Sequence, residues 1–387
     1  MRIVHSDQRR RPPDETARGA LRWPLGLHVT VVVLAAAATA IAVLALLWLV
    51  LGTPRVRTAG GLSPGDTYEV IKIALTSVGG VGGVVALVVA YRRQHLGEVA
   101  EAREHSRVLI ERFGAAATQL GAEQPAVRVA GAHAMARLAD EWPQERQMCI
   151  DALCGYLRMP FPPDAPNDDQ ALVAWRRERE VRLTVLRLIG GHLRDGSASS
   201  WQGYDLDFTG AVLDEADFRG ARFTGGDIVF IKTIFVGRDR NQIVFDEAEF
   251  AEGSSVYFRL AEFRSGHVRF NRATFGGGWV TFDSARFAGT EVAFREAAFT
   301  AGEVLFEDAD FSDGRLDFTG ATFTGAMVNF GAHHLPSVYT TVPPAHFTGG
   351  TVDFSQAADF TRPPRFGLRA APAGLLLPVG TDISELP

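Results

Sequence analysis

The sequence predicts a protein in two parts: two transmembrane helices with a small helical bundle, followed by a β-solenoid. Three observations lead to this fold class. Two long apolar runs lie near the start of the chain, short amphipathic segments follow, and the second half carries an internal repeat. The 387 residues include 26 Phe but only 6 Tyr. An excess of one aromatic type at a regular spacing is typical of a repeat in which the same side chain fills equivalent positions.

The first apolar run, 25–51, contains no charged residue. It exceeds the roughly 20 residues that cross a bilayer as a helix, and Trp23 and Trp48 lie near its ends, where aromatic rings favour the interface. The basic segment 1–24 suggests a signal peptide as the alternative, but the apolar core of a signal is only about 7–15 residues long. We therefore predict a transmembrane helix over 25–51.

A second apolar run, 70–91, is interrupted only by Lys72, which is close enough to the end to reach the interface. The run stops at Arg92 and Arg93. Because the arginine excess lies outside this hairpin at both ends, both termini are predicted to be cytoplasmic and 52–69 to be an external loop. The expected location is thus the cytoplasmic membrane, with two spans.

The second run contains Gly79 and Gly83, which form a GxxxG pattern. This pattern lets two helix backbones approach closely in lipid. The partner helix is either the first span of the same chain or the same helix of a second copy, so a homodimer is one of two open interpretations.

Residues 92–200 are predicted to form a cytoplasmic helical stalk and bundle, because amphipathic stretches alternate there with Pro and Gly breaks. Cys149 and Cys154 lie five residues apart and so point to different helix faces, which favours buried thiols over a disulfide. His133 and His192 lack a partner at metal-ligand spacing. No cofactor or metal is predicted.

From Leu206 the chain falls into units of five whose third residue is large and apolar, as in Leu206-Asp-Phe208-Thr-Gly210 and Ala216-Asp-Phe218-Arg-Gly220. Farther along, pairs of Phe five residues apart recur every twelve residues. We predict that these side chains form the repeat core. They are Phe208, Phe218, Phe223, Phe258, Phe263, Phe270, Phe275, Phe282, Phe287, Phe294, Phe299, Phe306, Phe311, Phe318 and Phe323.

This pattern resembles the pentapeptide-repeat family over roughly 205–360. The resemblance implies a right-handed quadrilateral β-helix over 201–360, in which each pentad forms one side of a square coil and its central residue points inward. Twenty-four residues would then complete a turn, giving about six turns. The whole layout is also similar to two-span, membrane-anchored pentapeptide-repeat proteins of actinobacteria, on features such as Tyr91-Arg-Arg-Gln94 and Leu153-Cys-Gly-Tyr-Leu-Arg158.

The repeat is interrupted at 238–242 and at 337–344, which are predicted to be loops that stand off the rod. Irregular loops often carry binding sites, and whether these do is left open. His333 and His334, beside the second loop, lack a nearby carboxylate or Cys and do not indicate a metal site. The Pro-rich segment 361–387 is predicted to be a disordered tail.

Catalytic motifs such as a nucleophile elbow, HExxH or a Walker sequence do not occur in the chain. We therefore predict a protein that is not an enzyme and has no nucleic-acid partner: a membrane-anchored scaffold that presents the β-helix to an unknown protein at the cytoplasmic face. The alternative is an acidic rod that imitates DNA and binds a DNA-processing protein such as gyrase, as soluble members of the family do. Acidic residues outnumber basic ones by about two to one over 205–360, but Arg259, Arg264 and Arg269 interrupt the acidic surface.

Overall fold

The computed structural model describes residues 64–386 with short gaps, together with seven positions between 31 and 49. The gaps are 238–241, 332, 336–339, 343, 347–349, 367, 369–370 and 384–385. The chain divides into two compact units, Met1–Ser106 and Arg107–Pro387. The predictions for 1–24, for most of 52–69 and for the loop at 238–242 fall largely outside the described residues.

Helix α1 (Pro64–Leu120) contains the second predicted span, 70–91, whereas the first, 25–51, lies almost entirely outside the described residues. None of the helices in the described part of the chain combines the length and the apolar character that crossing a membrane requires. Neither span is thus confirmed. A Cβ at Gly79 or Gly83 would meet no atom within 4 Å, and the helix-packing role of these glycines stays a prediction.

Three further helices and a short 3-10 turn form the predicted bundle. They are α2 (Pro125–Glu141), the turn Pro143–Glu145, α3 (Arg146–Leu157) and α4 (Asp169–Leu193). The Asp168 carboxylate accepts a hydrogen bond of 2.7 Å from the Ala171 amide and so caps α4. Cys149 and Cys154 are both buried and unpaired with each other, and burial raises the pKa of Cys149 to about 11. Both thiols are therefore parts of the core.

Helix α4 covers the first coil of the solenoid. A Cβ at Gly190 would lie 2.5 Å from the Asp217 carbonyl oxygen, so only glycine permits this close approach. Trp201 is fully buried, stacks on His192 with 4.1 Å between ring centroids, and donates its indole N–H to Asp140 Oδ1 over 3.0 Å. His192 is accordingly a structural residue of this cap, and the end of the solenoid is shielded from solvent, as such repeats require.

The solenoid is built from two nine-stranded sheets in which neighbouring strands are parallel and come from successive turns. The first sheet contains β1 (Leu206–Asp207), β4 (Arg222–Phe223), β5 (Gly226–Val229), β8 (Glu249–Ala251), β9 (Ser254–Tyr257), β11 (Thr274–Thr281), β13 (Ala298–Leu305), β15 (Thr322–Phe323) and β16 (Met327–Asn329). The second contains β2 (Val212–Asp214), β3 (Ala216–Asp217), β6 (Ile234–Val236), β7 (Ile243–Val244), β10 (Glu262–Arg269), β12 (Arg286–Ala293), β14 (Asp310–Asp317), β19 (Thr351–Asp353) and β20 (Leu375–Leu376). A separate antiparallel hairpin, β17 (His333–Leu335) and β18 (Thr340–Val342), lies at the second predicted loop.

Phe side chains fill the interior in four stacks that follow the solenoid through about six turns. The structure places all fifteen predicted Phe residues inside. Phe282 lies between Phe258 and Phe306, with centroid distances of 4.6 and 4.7 Å and nearly parallel rings. Seven further stack members were not among the predicted residues, because four lie in the first turns, where the spacing differs from twelve, and three follow the last predicted pair. They are Phe230, Phe235, Phe245, Phe250, Phe330, Phe354 and Phe366.

Residues of the predicted tail extend the solenoid. Strand β20 pairs with β19, Phe366 stacks on Phe330 at 5.4 Å, and the Arg365 amide donates to the Val328 carbonyl over 2.8 Å. The structure thus differs from the disordered tail predicted for 361–387. The physical reason is that the last turn exposes an apolar edge, which Phe366 and Leu375 cover while becoming buried themselves.

Sharp turns join the sides of the coil, and each needs a residue in the left-handed region at its third position. In the turn from Phe258 to Ala261 the Ala261 amide donates to the Phe258 carbonyl over 3.0 Å, and Leu260 has φ = 57°. The equivalent position in the turn that starts at Phe218 is Gly220, with φ = 64°. A side chain at such an angle costs about 1–2 kcal/mol, and glycine avoids this cost.

Leu260→Gly is therefore expected to raise the free energy of unfolding by about 0.5–1 kcal/mol, the relief of strain minus the larger backbone entropy of glycine. The Leu260 side chain is 39% exposed, so little packing is lost. Chemical denaturation measures the effect. The matched reverse change, Gly220→Leu, should destabilise the protein, because a Cβ there enters open space and only the backbone angle is affected. Destabilisation by Leu260→Gly would contradict this explanation.

Candidate functional site

The outer face of the second sheet carries ion pairs that connect successive turns. Equivalent positions stack along the solenoid, so an arginine of one turn lies beside a carboxylate of the next. The pairs between turns are Arg269–Asp246 (2.6 Å), Arg295–Asp317 (2.6 Å) and Arg315–Asp353 (3.2 Å), and Arg295 also pairs with Glu291 of its own turn (2.6 Å). We call Arg269, Arg295 and Arg315 the arginine ladder. The ladder thus compensates several of the carboxylates on this face.

The outer face of the first sheet is different, because small side chains surround one large aromatic residue. Thr274 and Gly276 of β11 and Thr300 of β13 point outward, whereas Trp279 of β11 is 39% exposed. Tyr257 of β9 packs edge-on against Trp279, with 5.3 Å between ring centroids and an angle of 87°. The contact holds the indole in place and leaves part of it accessible.

Carboxylates border this aromatic pair. Glu303 is the register partner of Trp279 on the neighbouring strand β13. Glu252 lies beside Gly277, two residues before Trp279, since a Cβ added at Gly277 would be 3.1 Å from the Glu252 Cβ. Both glutamates are exposed, and within the described part of the chain neither forms an ion pair with a basic side chain. Burial raises the pKa of Tyr257, with a smaller contribution from Asp227. We call Asp227, Glu252, Tyr257, Trp279 and Glu303 the aromatic patch.

Comparison with known families identifies the repeat directly. The model for pentapeptide repeats (eight copies) matches residues 205–230, which form β1 to β5 together with the turns between them. This segment therefore carries pentapeptide repeats, and the β-solenoid continues beyond it. No curated protein and no solved structure matches it in the corresponding comparisons.

One carboxyl group of the solenoid is buried at a corner of the coil. Glu307 is only 1% exposed, and its Oε1 atom accepts a hydrogen bond of 2.7 Å from Asn329 Nδ2. Burial, and then the charge of Asp283, raise the pKa of Glu307 to about 7. The repeat pattern assigns the residue after the inward Phe to an outward position, so the sequence carries no signal for this burial.

Open cavities lie on the described part of the chain. One of about 330 Å³ lies between α4 and the first turn, where Arg179, Arg187 and Glu215 form part of its lining. Another of about 230 Å³ lies on the second sheet beside Arg269 and Arg295. Among the described residues, His, Cys, Asp and Glu side chains form no group of three or more that could hold a metal ion.

Proposed function

We propose that this pentapeptide-repeat protein is a membrane-anchored, non-enzymatic scaffold that binds a protein partner through the aromatic patch at the cytoplasmic face of the membrane. The observation that carries the proposal is the 39% exposed Trp279 on a rigid sheet face. Tryptophan is among the residues that contribute most to binding energy at protein interfaces. The strands on either side hold the ring in position, so binding costs little ordering entropy.

The solenoid supports a scaffold rather than an enzyme because its interior is filled. Stacked Phe rings occupy the four inner sides, as in the close contact between Phe263 and Phe287 at 4.7 Å. A substrate would thus have to bind on the outer faces, where the second sheet carries the arginine ladder and the first sheet carries small residues around Trp279. Such faces suit the recognition of another macromolecule.

The anchor is supported by the sequence. The run 25–51 is uncharged, and 70–91 contains one lysine near its end. On α1, the side chains of Leu87 and Val89 are 71% and 48% exposed, so much of their apolar surface is accessible. Pairing of two copies through the helix face of Gly79 and Gly83 would set two aromatic patches close together and increase the effective concentration of binding sites.

Membrane topology tests this proposal. We expect an epitope added after Pro387 to survive protease in spheroplasts and to be lost in inverted vesicles, because both termini are proposed to be cytoplasmic. Immunoblotting of the epitope measures this even if the compact solenoid itself resists cleavage. The control is the same epitope inserted within 52–69, which should show the opposite sensitivity. Loss of the C-terminal epitope in spheroplasts, or recovery of the protein in the soluble fraction, would refute the anchored orientation.

A further inference from the structure

We propose that the aromatic patch binds an arginine-containing segment of the partner protein, an inference that rests on the proposed function and assigns the chemistry of its partner. The patch combines an accessible indole with two exposed glutamates, Glu252 and Glu303, that form no ion pair with a basic side chain in the described part of the chain. A guanidinium ion is the protein group that matches both features, because it stacks on aromatic rings and forms paired hydrogen bonds with carboxylates.

The geometry allows both contacts at once. Trp279 and Glu303 are register partners on adjacent parallel strands, and such strands are about 4.8 Å apart. A guanidinium lying on the indole can therefore reach the Glu303 carboxylate without a change in the protein backbone. Tyr257 holds the indole edge-on at 5.3 Å, so the ring is already oriented before the ligand arrives.

The charge distribution also favours a cation at this face rather than at the second sheet. On the second sheet, Asp246 and Asp317 are each paired with an arginine at 2.6 Å. At the patch, Glu252 and Glu303 lack such partners, and Glu303 is close enough to add to the effects that raise the pKa of Glu307. A bound guanidinium would relieve this repulsion, whereas a phosphate-rich polymer would increase it.

The test uses the full chain in mild detergent and a short fluorescent peptide of alternating Arg and Thr residues, with binding followed by fluorescence anisotropy at low ionic strength. The matched peptide carries citrulline in place of every Arg, which removes the charge and keeps the shape. We expect the Arg peptide to bind at least about tenfold more tightly than the citrulline peptide, since stacking and charge pairing both contribute.

Variants of the protein test whether the Arg peptide binds at the aromatic patch. Trp279→Ala should weaken Arg-peptide binding about tenfold and Trp279→Phe should weaken it less, because Phe keeps a smaller aromatic face. The double change Glu252→Gln and Glu303→Gln should weaken binding and reduce its dependence on salt. Arg286→Ala, on the second sheet, is the control and should bind as the unchanged protein does. Circular dichroism verifies that each variant keeps the β-solenoid.

Several results would overturn the inference. Equal binding of the two peptides would show that charge is not recognised, and unchanged binding by a folded Trp279→Ala protein would place the peptide elsewhere. If Trp279→Ala instead abolished self-association while neither peptide bound, the patch would be a contact between copies of this chain. None of these outcomes changes the expected result of the epitope experiment. Failure of the proposed arginine binding can therefore be distinguished from failure of the proposed membrane-anchored scaffold.

Discussion

Phe282→Ala is expected to lower the free energy of unfolding by about 3–5 kcal/mol, the usual loss when a buried Phe is truncated. Phe282 is fully buried. It contacts Phe258 and Phe306 in its own stack at 4.6 and 4.7 Å, and it meets Phe270 edge-on at 6.2 Å. A cavity at this position cannot collapse easily, because the stacked strands on each side hold the neighbouring turns apart.

Urea denaturation of the full chain in mild detergent, followed by circular dichroism of the β signal, measures this loss. The control is Arg286→Ala in the same turn. The Arg286 side chain is 64% exposed and lies 3.8 Å from Asp310, so its removal should cost under about 0.5 kcal/mol. Similar losses at both positions would contradict the assignment of inward and outward residues in the repeat.

The second large effect concerns pH and Glu307. Burial and the neighbouring Asp283 raise the pKa of Glu307 to about 7 in the folded protein, above its ordinary value of 4.5. The folded state therefore holds the proton more tightly than the unfolded state does. The resulting stabilisation is fully present below about pH 4.5 and is lost as the pH rises through 7. Because each pKa unit corresponds to about 1.4 kcal/mol, the loss reaches up to about 3 kcal/mol.

Glu307→Gln isolates this contribution, since the amide oxygen can still accept the hydrogen bond from Asn329 and the side chain no longer titrates. We expect the variant to be more stable than the unchanged protein at pH 8, by up to about 3 kcal/mol, and the gap to close toward pH 4.5. Denaturation at several pH values measures the difference. Glu252→Gln removes an exposed carboxylate and is the control. An equal pH dependence of the Glu307→Gln protein and the unchanged protein would exclude Glu307 as the source.

The repeat core could be predicted because side-chain direction within a pentad is a local property. Along a strand, alternate residues point to opposite sides, so a Phe in the middle of each unit identifies the interior without knowledge of the partner strand. The inward Phe residues could no longer be predicted where the number of residues between repeats changed. Phe230 and Phe245 join the same stacks, but they follow turns of irregular length, and the sequence does not show how an insertion is accommodated. The segment 361–387 was predicted to be a disordered tail for a related reason. The sequence does not show that Phe366 contacts the distant Phe330.

The sequence by itself determined that this chain carries a Phe-filled solenoid of pentapeptide repeats, because the inward and outward positions follow from neighbours only a few residues apart. Only the tertiary structure decided what the outward residues do. The partner of each outward side chain lies a whole turn away, as Trp279 lies beside Glu303 and Arg295 beside Asp317. Stacking register therefore determines that carboxylates such as Asp317 are paired in the arginine ladder, whereas Glu303 in the aromatic patch forms no ion pair among the described residues. The stacking register also buries Glu307 at a position that the repeat pattern assigns to solvent. Asn329 and Asp283 of the adjoining turns lie next to Glu307.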